Sequence, residues 1–218
     1  MSNVYSVKVR KKDGKIVELP LAANVKDITW NSNMNLKQAI GDYPYKVYNT
    51  VQEMKNDAFY LSPGRCVKTL GYYNRGDGGG AEYIIDVTTA PFSIYLNKTL
   101  RANMIIPSNG VVSALQYGIK NDGTGYPSLM KEFLQHNKFV HALYFPRGIY
   151  TLPNENFTLE GDVKIIGDGY DTLIQCQYAH KICISGNAII ENFSLVGGCD
   201  FYSTDPSRFK FKLDIYRK

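Results

Sequence analysis

The second half of the chain is a series of short apolar segments separated by turns rich in Asn and Gly. Each segment has the length and the Ile, Val, Thr, Tyr and Phe content typical of β-strands. Their spacing is too short for helical crossovers and too regular for irregular loops. The sequence therefore predicts seven strands, at residues 143–145, 149–152, 157–159, 163–166, 172–176, 182–185 and 189–196.

These strands repeat when the sequence is compared with itself. A period in the low twenties with three short strands is what a parallel β-helix needs, because each coil stacks on the next and like residues lie over one another inside. An offset of 23 residues aligns Cys176 with Cys199, which predicts two stacked interior thiols rather than ligands. An offset of 25 residues aligns Phe157 with Ile182, Leu159 with Ile184, Gly161 with Gly186, Asp162 with Asn187, Val163 with Ala188, and Ile165 with Ile190.

The length of the chain limits the number of coils. About two and a half coils fit before the chain ends, whereas such solenoids generally need about three coils and caps. Residues 208–218 alternate between apolar and charged side chains, which predicts one more strand. This strand either closes the β-helix as a cap or begins a further coil of a longer protein.

The N-terminal residues 4–21 have the pattern of a β-hairpin. A three-residue loop at residues 12–14 keeps the apolar side chains on one face, whereas a two-residue Asp-Gly loop would place Val9 opposite Glu18 and mix the faces. Two short helices are expected next, at residues 36–40 and after the capping box that Thr50 and Glu53 form. The hairpin register that we expect pairs Val9 with Val17, Val7 with Leu19, and Lys8 with Glu18.

A glycine-rich loop at residues 74–80 lies between two predicted strands, 65–73 and 81–87. Glycine at four of its seven positions indicates residues at positive φ or a close approach of the backbone, hence a compact hairpin loop. The loop contains an integrin-type Arg75-Gly76-Asp77 tripeptide, but three residues recur by chance. A phosphate-binding loop would need a Lys-Ser/Thr pair and a following helix, so we interpret the loop as structural.

The turn-forming residues 107–110, Pro-Ser-Asn-Gly, mark the predicted boundary between two domains. Two further strands are expected before it, at residues 92–96 and 100–106. A helix is expected after it, at residues 127–136, with Pro127 in its first turn and an apolar stripe formed by Leu129, Met130, Phe133 and Leu134. The sequence predicts a mainly β fold, with a small mixed N-terminal region followed by the start of a parallel β-helix, in segments 1–49, 50–107 and 108–218.

Composition excludes several classes of protein. The 218 residues are 44% hydrophobic and 21% charged, which is typical of folded domains rather than of disordered chains. The net charge of +5 is mild and spread out, so we expect no nucleic-acid partner. The N-terminus is too polar for a signal peptide, and the uncharged stretch 102–119 holds too many polar residues for membrane insertion. The four cysteines lack a C-x-x-C pair, so no zinc site, disulfide framework, metal or cofactor is expected, and a reducing assembly compartment fits.

Two stretches resemble phage tail spikes and appendages built on a pectate-lyase-like right-handed β-helix. The first, residues 67–85, is similar to the "TLGY…GDGGGA.Y.I" segment that precedes the β-helix in many spikes, including the preneck appendages of small tailed phages of Gram-positive hosts. The second, from residues 115–124 to residues 143–152, is similar to the "GAkgDG…fPpGtY" opening of that superfamily, and residues 165–174 continue it. Ile119, Asn121 and the Tyr126-Pro127 pair depart from the pattern at turn positions.

The resemblance implies a virion protein, in a tail or collar appendage assembled in the host cytoplasm. It implies that the N-terminal region anchors to other tail or collar proteins and that the β-helix binds or cleaves host-surface polysaccharide or teichoic acid. It also implies a homotrimer.

Cleavage of a glycan by a hydrolase would need two carboxylates about 5–9.5 Å apart on neighbouring coils. The offset of 25 places Glu191 opposite Ile166 and stacks no acid on an acid. The change from an offset of 25 to one of 23 would be a two-residue deletion in one corner of the coil. If that deletion lies earlier in the chain, Asp168 is paired with Glu191 instead. Asp168 lies in a Gly-Asp-Gly turn, where such a residue usually serves backbone geometry. We therefore expect no catalytic residue in this chain, with Asp168 and Glu191 as the alternative pair. No spacing among His136, His141 and His180 suggests a base or a metal site.

Three functions are compatible with these patterns. The leading one is a non-enzymatic structural protein, the attachment region of a spike that supports host-surface recognition. The second is a polysaccharide or teichoic acid depolymerase, a hydrolase or lyase, whose catalytic carboxylates lie beyond this chain. The third is a receptor-binding module that stacks exposed tyrosines such as Tyr170 or Tyr178 on sugars, although aromatic residues on strands more often serve packing.

Overall fold

The computed structural model describes residues 6–10, 16–20, 29–31, 34–35, 46–176, 181–197, 200–203 and 209–212. The chain forms two compact units, Met1–Tyr45 and Lys46–Lys218. The three-part division of the chain stays a prediction. Within the described residues, no helix is both long enough and apolar enough to cross a membrane.

The first unit contains the predicted hairpin. Strands β1 (Ser6–Arg10) and β2 (Ile16–Pro20) are antiparallel, and β3 (Thr29–Asn31) pairs with β4 (Met34–Asn35) in the same sense. The loop at residues 12–14 and the helix predicted at 36–40 lie outside the described residues. The expected register is confirmed, with Val9 opposite Val17, Val7 opposite Leu19, and Lys8 opposite Glu18.

The second unit begins with a five-stranded sheet of order β5-β6-β7-β9-β8. The edge strand β5 runs parallel to β6, and the other pairs are antiparallel. One face is buried, through alternate side chains such as Val67, Tyr83 and Ile85. The strands are β5 (Lys46–Tyr48), β6 (Cys66–Thr69), β7 (Glu82–Asp86), β8 (Ser93–Tyr95) and β9 (Arg101–Met104).

Helix α1 (Val51–Asn56) follows β5 and begins with the predicted cap. The Thr50 hydroxyl accepts a hydrogen bond from the Glu53 N–H at 3.1 Å. The Glu53 carboxylate accepts the N–H of Asn49 at 2.8 Å, one residue before the position that a standard capping box uses. A 3-10 helix, Ala58–Tyr60, completes the connection to β6.

The β-helix starts at strand β10 (Val111–Ser113). A 3-10 helix (Ala114–Tyr117), helix α2 (Pro127–Gln135) and a second 3-10 helix (His136–Phe139) separate β10 from the coils. Helix α2 confirms the helix predicted at 127–136, and it buries the predicted Met130, Phe133 and Leu134.

Ten strands form the coils, and every pairing between them is parallel within the part of the chain that the structure describes. The three sheets have the orders β10-β11-β14-β17-β20, β12-β15-β18 and β13-β16-β19, so successive strands move from one sheet to the next as in a parallel β-helix. The strands are β11 (Ala142–Phe145), β12 (Gly148–Thr151), β13 (Phe157–Leu159), β14 (Val163–Gly167), β15 (Thr172–Cys176), β16 (Lys181–Ile184), β17 (Ala188–Glu191), β18 (Ser194–Gly197), β19 (Asp200–Ser203) and β20 (Phe209–Lys212).

Like residues stack inside the coils, with an offset of 22 residues between the first and second coils in the first sheet and the predicted offset of 25 between the second and third. Leu143 lies opposite Ile165 and Ile165 opposite Ile190, and all three side chains are buried. Phe157 lies opposite Ile182 in the third sheet. These ladders form the β-helix core, because each coil covers the apolar side chains of the one before it.

The described strands complete three coils and begin a fourth, so the expectation of two and a half coils is wrong. The single strand predicted at 189–196 is also wrong. It is two strands, because Asn192 adopts a left-handed φ of 62° and turns the chain. The predicted tail strand is present as β20, and its parallel pairing with β17 continues the first sheet into the fourth coil.

The predicted stack of Cys176 on Cys199 is wrong. Cys176 lies opposite Gly197, an offset of 21 residues, and Cys199 lies outside the described residues. Gly197 has φ of 103°, and a Cβ there would lie 2.1 Å from the carbonyl oxygen of Cys176. Only glycine lets the two backbones approach this closely. Cys176 is buried, as the sequence predicts.

Candidate functional site

The turn between β14 and β15 carries the polar residues that the sequence analysis singles out. In each coil, a turn connects the strand of the first sheet to that of the second, and it contains two residues in the first and third described coils but four, Asp168 to Asp171, in the second. A Cβ on the preceding Gly167 would lie 2.2 Å from the carbonyl oxygen of Asn192, so the next coil lies directly against this turn. The turn of the second coil is therefore the longest of the three at this corner.

Asp168 connects the second coil to the first. Its carboxylate accepts a short hydrogen bond from the hydroxyl of Tyr144 on β11. It also accepts the backbone N–H of Arg147 at 3.1 Å, and its own N–H donates to the Thr172 hydroxyl at 2.9 Å. Both carboxylate oxygens of Asp168 thus accept hydrogen bonds from the preceding coil, and these bonds hold the turn against that coil.

The phenol of Tyr144 is a hydrogen-bond donor at neutral pH. Partial burial raises its pKa, and the hydrogen bond to Asp168 and the charge of that carboxylate raise it further, to about 12. The proton therefore stays on the Tyr144 oxygen, and the carboxylate remains the acceptor.

Asp171 and Arg147 form an ion pair at the outer edge of the same corner. The distance between Arg147 Nη2 and Asp171 Oδ2 is 3.2 Å, and the two side chains are 73% and 65% exposed. Such an exposed pair contributes little to stability. Tyr170 lies beside it in sequence and is 57% exposed. The corner thus presents an aromatic ring, a guanidinium and carboxylates to solvent, which are groups able to contact a polyhydroxylated polymer.

Glu191 is not opposite Asp168. The register of β14 and β17 places Glu191 opposite Ile166, so the alignment of Asp168 with Glu191 is wrong, while their role as the alternative catalytic residues stays an untested prediction. The offset stays at 25 residues up to Glu191 and becomes 21 at Ser194, so the deletion lies in the turn after Glu191. The four-residue turn consequently has no counterpart of equal length in the next coil.

The histidines do not come together in the described residues. His136 is half-buried against Phe92, with ring centroids 4.7 Å apart, and burial lowers its pKa. His141 is exposed, and His180 and the candidate sugar-binding Tyr178 lie outside the described residues. No group of three or more His, Cys, Asp or Glu side chains with metal-binding geometry occurs in the described part of the chain.

Sequence analysis missed Tyr144, Arg147 and Asp171. The first two belong to the Tyr-Phe-Pro-Arg-Gly segment of the superfamily pattern, but their contact with Asp168 depends on the offset between coils. Tyr144 lies opposite Ile166, two residues before Asp168, so the hydrogen bond crosses the ladder diagonally. A repeat alignment alone does not predict such a contact.

The glycine-rich loop is built around the carboxylate of Asp77. Its Oδ1 accepts the N–H groups of Tyr72 and Gly79 at 3.0 and 2.8 Å, and its Oδ2 accepts those of Tyr73 and Asn74 at 2.8 and 2.9 Å. Partial burial opposes ionisation, but these four donors outweigh it and hold the Asp77 pKa below its usual range. These bonds agree with the structural interpretation of the Arg-Gly-Asp tripeptide.

Comparison with known proteins yields matches in structure only. No protein-family model matches the chain, and no curated protein matches it in sequence. The tailspike protein of Acinetobacter phage vB_ApiP_P1 is 16% identical with a TM-score of 0.46, over 79% of this chain and 31% of that one. Pantoea stewartii WceF, described as a glycan biofilm modifying enzyme with a bacteriophage tailspike-like parallel β-helix fold, is 9% identical with a TM-score of 0.44, over 93% of this chain and 38% of that one.

This chain spans less than two fifths of the length of either structure. The strand order of this chain by itself establishes the parallel β-helix fold.

Proposed function

We propose that this chain is the attachment region of a phage tail spike or appendage. In this proposal, residues 1–49 dock to tail or collar proteins of the virion, residues 50–107 support the junction, and residues 108–218 form the first coils. The observation that supports it most is the start of a parallel β-helix at β10, directly after a five-stranded sheet that is not part of the coils. A chain of this order has a non-helical region available for docking and a β-helix that leads away from it.

The proposal includes assembly as a homotrimer. Three aliphatic side chains, Ile149, Ile189 and Val196, are 37%, 40% and 42% exposed on the outer faces of β12, β17 and β18. Burying such surface between copies is favourable by about 25 cal/mol per Å² of apolar area. Closed cyclic symmetry would let each copy cover the same face of its neighbour.

Multi-angle light scattering on the full 218-residue chain tests the assembly, and co-purification with tail and collar proteins tests the docking. We expect the mass of a trimer and retention by at least one tail or collar protein. A stable monomer that binds none of these proteins would contradict both parts of the proposal.

The exposed corner at residues 168–171 favours a second function, contact with a host-surface glycan. Tyr170 offers an aromatic face next to the Arg147–Asp171 ion pair. We expect Tyr170→Ala to remain folded and to reduce retention on immobilised host cell-wall polymer by about tenfold or more, with the exposed Tyr95→Ala as the matched control. Equal retention of both variants would rule out this corner as a contact site.

The same assay separates binding from degradation. Release of reducing ends or unsaturated sugars by this chain would support a depolymerase with its site here. Release only by a longer product of the same reading frame would place the catalytic carboxylates on later coils.

A further inference from the structure

Phe92 has a backbone conformation that a bulky residue rarely adopts. It lies in the turn between β7 and β8 with a φ of 58°, in the left-handed region, where the Cβ of an L-residue crowds its own backbone. Its side chain is fully buried, with 0% exposure. Strained residues of this kind persist only where the surrounding structure determines them more strongly than their own preference.

The ring of Phe92 leaves the sheet region and enters the start of the β-helix. Its centroid lies 5.6 Å from that of Tyr117, 5.9 Å from Phe133 on α2, and 4.7 Å from His136, all of which follow residue 107 in the chain. The contacts with Tyr117 and Phe133 are edge-to-face, the geometry that aromatic pairs favour. Further edge-to-face contacts lead from Phe133 to Phe145 and then to Tyr150 in the first coil, at 5.6 and 5.0 Å.

The turn that carries Phe92 is fastened to the sheet at its other end. The buried Asn103 on β9 donates from its amide to the carbonyl oxygen of Thr88 at 3.0 Å and accepts the N–H of Ala90 at 3.3 Å. The Asp86 carboxylate accepts the N–H of Val87 at 2.6 Å. The turn therefore cannot relax the Phe92 backbone without breaking its bonds to the sheet.

A second group of contacts joins the same two regions at the glycine-rich loop. The Gln116 amide donates to the carbonyl oxygen of Gly80 at 3.1 Å, and the Tyr73 hydroxyl donates to that of Gly118 at 2.7 Å. Gly118 has φ of 85°, and a Cβ there would lie 2.3 Å from the ring of Tyr72. The two attachments use different residues of the segment 114–118, Tyr117 for Phe92 and Gln116 and Gly118 for the loop, so together they restrict rotation about either one.

We infer that Phe92 locks the five-stranded sheet to the first coil, so that the two regions move and unfold as one body. The ring contacts compensate the strain at its backbone, so the Phe92 side chain supplies the apolar part of the coupling beside the hydrogen bonds at the glycine-rich loop. A force applied to the sheet is then transmitted to the β-helix without a hinge at residues 105–110. The inference depends on packing alone, so its failure would leave the proposed attachment role untouched.

Hydrogen exchange of the full chain tests the coupling. In the wild type, the slowest amides of β6, β7 and β9 and those of β11, β14 and β17 should share one protection factor, because both regions open together. In Phe92→Ala, we expect the protection of the sheet amides to fall by about a hundredfold or more and to separate from that of the coil amides by at least about tenfold.

Phe145→Ala is the matched control, because Phe145 is equally buried and belongs to the same chain of rings but lies within the coils. It should lower the protection of both regions by the same factor, since the coupling remains. The same pattern in Phe92→Ala would overturn the inference and make Phe92 an ordinary core residue. Phe92→Leu keeps most of the apolar volume, should stay folded, and should show the same separation to a smaller extent.

Phe92→Gly tests the strain separately. Glycine adopts positive φ readily, so this variant should be more protected than Phe92→Ala, against the usual order of the two residues. A less protected Phe92→Gly would refute the claim that the backbone is strained.

Discussion

Replacing Asp77 by Asn tests the idea that one carboxylate organises the glycine-rich loop. The change keeps the size of the side chain and removes its charge. In Asp77→Asn, one carbonyl oxygen serves two of the four N–H groups that bond to the Asp77 carboxylate, and the new NH₂ group faces the other two. Two charge-assisted hydrogen bonds are lost, and two become weaker.

The expected loss of unfolding free energy is about 2–3 kcal/mol. Hydrogen bonds to a charged group are each worth about 1.5–3 kcal/mol, so the two lost bonds alone would account for about 3–6 kcal/mol if nothing replaced them. The true value is lower, because Tyr73 and Asn74 are exposed and water can replace the acceptor for their N–H groups. With a slope of about 2–3 kcal/mol per M, urea denaturation should show a midpoint about 1 M below that of the wild type.

The pH dependence gives a second, independent signature. Because the folded pKa of Asp77 lies below its unfolded value of about 3.9, the stabilisation is fully present above that value and is lost as the pH falls through the folded pKa. The two urea midpoints should therefore differ most at neutral pH and converge in acid. Circular dichroism at a series of pH values measures both.

Asp86→Asn is the matched control. Asp86 is the last residue of β7, and its carboxylate accepts hydrogen bonds from Val87 and Thr88 in the turn that follows, where an Asn side chain can serve as the same acceptor. Its midpoint should change less than that of Asp77→Asn. An unchanged midpoint for Asp77→Asn at neutral pH, or a difference that persists in acid, would refute the reasoning.

Three further predictions concern the coils and the core. Ile165→Ala should lower the free energy of unfolding by about 3–4 kcal/mol, because Ile165 is fully buried. The same change at Ile189, which is 40% exposed, should lower it by less than about 1 kcal/mol. Urea denaturation of the two variants measures the difference. Gly197→Ala should cost about 2 kcal/mol or more, because its φ is left-handed and the new Cβ would meet the neighbouring coil; equal urea midpoints for the variant and the wild type would contradict the close approach. Burial raises the pKa of the Tyr83 and Tyr150 phenols, so their contribution to stability is complete below about pH 10 and is lost as the pH rises through the folded values. The part of the tyrosinate absorbance that Tyr83→Phe and Tyr150→Phe each remove should appear only together with unfolding, and its appearance in the folded protein near about pH 10 would disprove this.

The residue pattern was sufficient for much of the fold. The register of the first hairpin follows from its alternation, because a shift by one residue would move every apolar side chain to the wrong face. The stacking of Ile165 on Ile190 follows from the offset of 25, since the core of a β-helix repeats with its coils. The cap at Thr50 was equally readable, because it involves only neighbouring residues.

The lengths of the turns between strands could not be predicted in the same way. The deletion between the second and third coils could lie before or after Glu191, and either position preserves the apolar pattern of the strands. The backbone decides, through the left-handed Asn192 and the contact of Gly197 with Cys176. For the same reason, the bond from Tyr144 to Asp168 has no sequence signature, since it crosses two coils whose offset the turn lengths set.

The sequence by itself determined that antiparallel strands come first in this chain and short stacked strands follow them, because alternation and repeat length are local properties of the residues. Tertiary structure decided where the coils change length, which carboxylates meet which donors, and how the sheet is joined to the β-helix. Phe92 shows the difference most clearly: nothing near it in sequence predicts a left-handed backbone. Only the aromatic side chains of residues 117–136, brought beside it by the fold, compensate that strain.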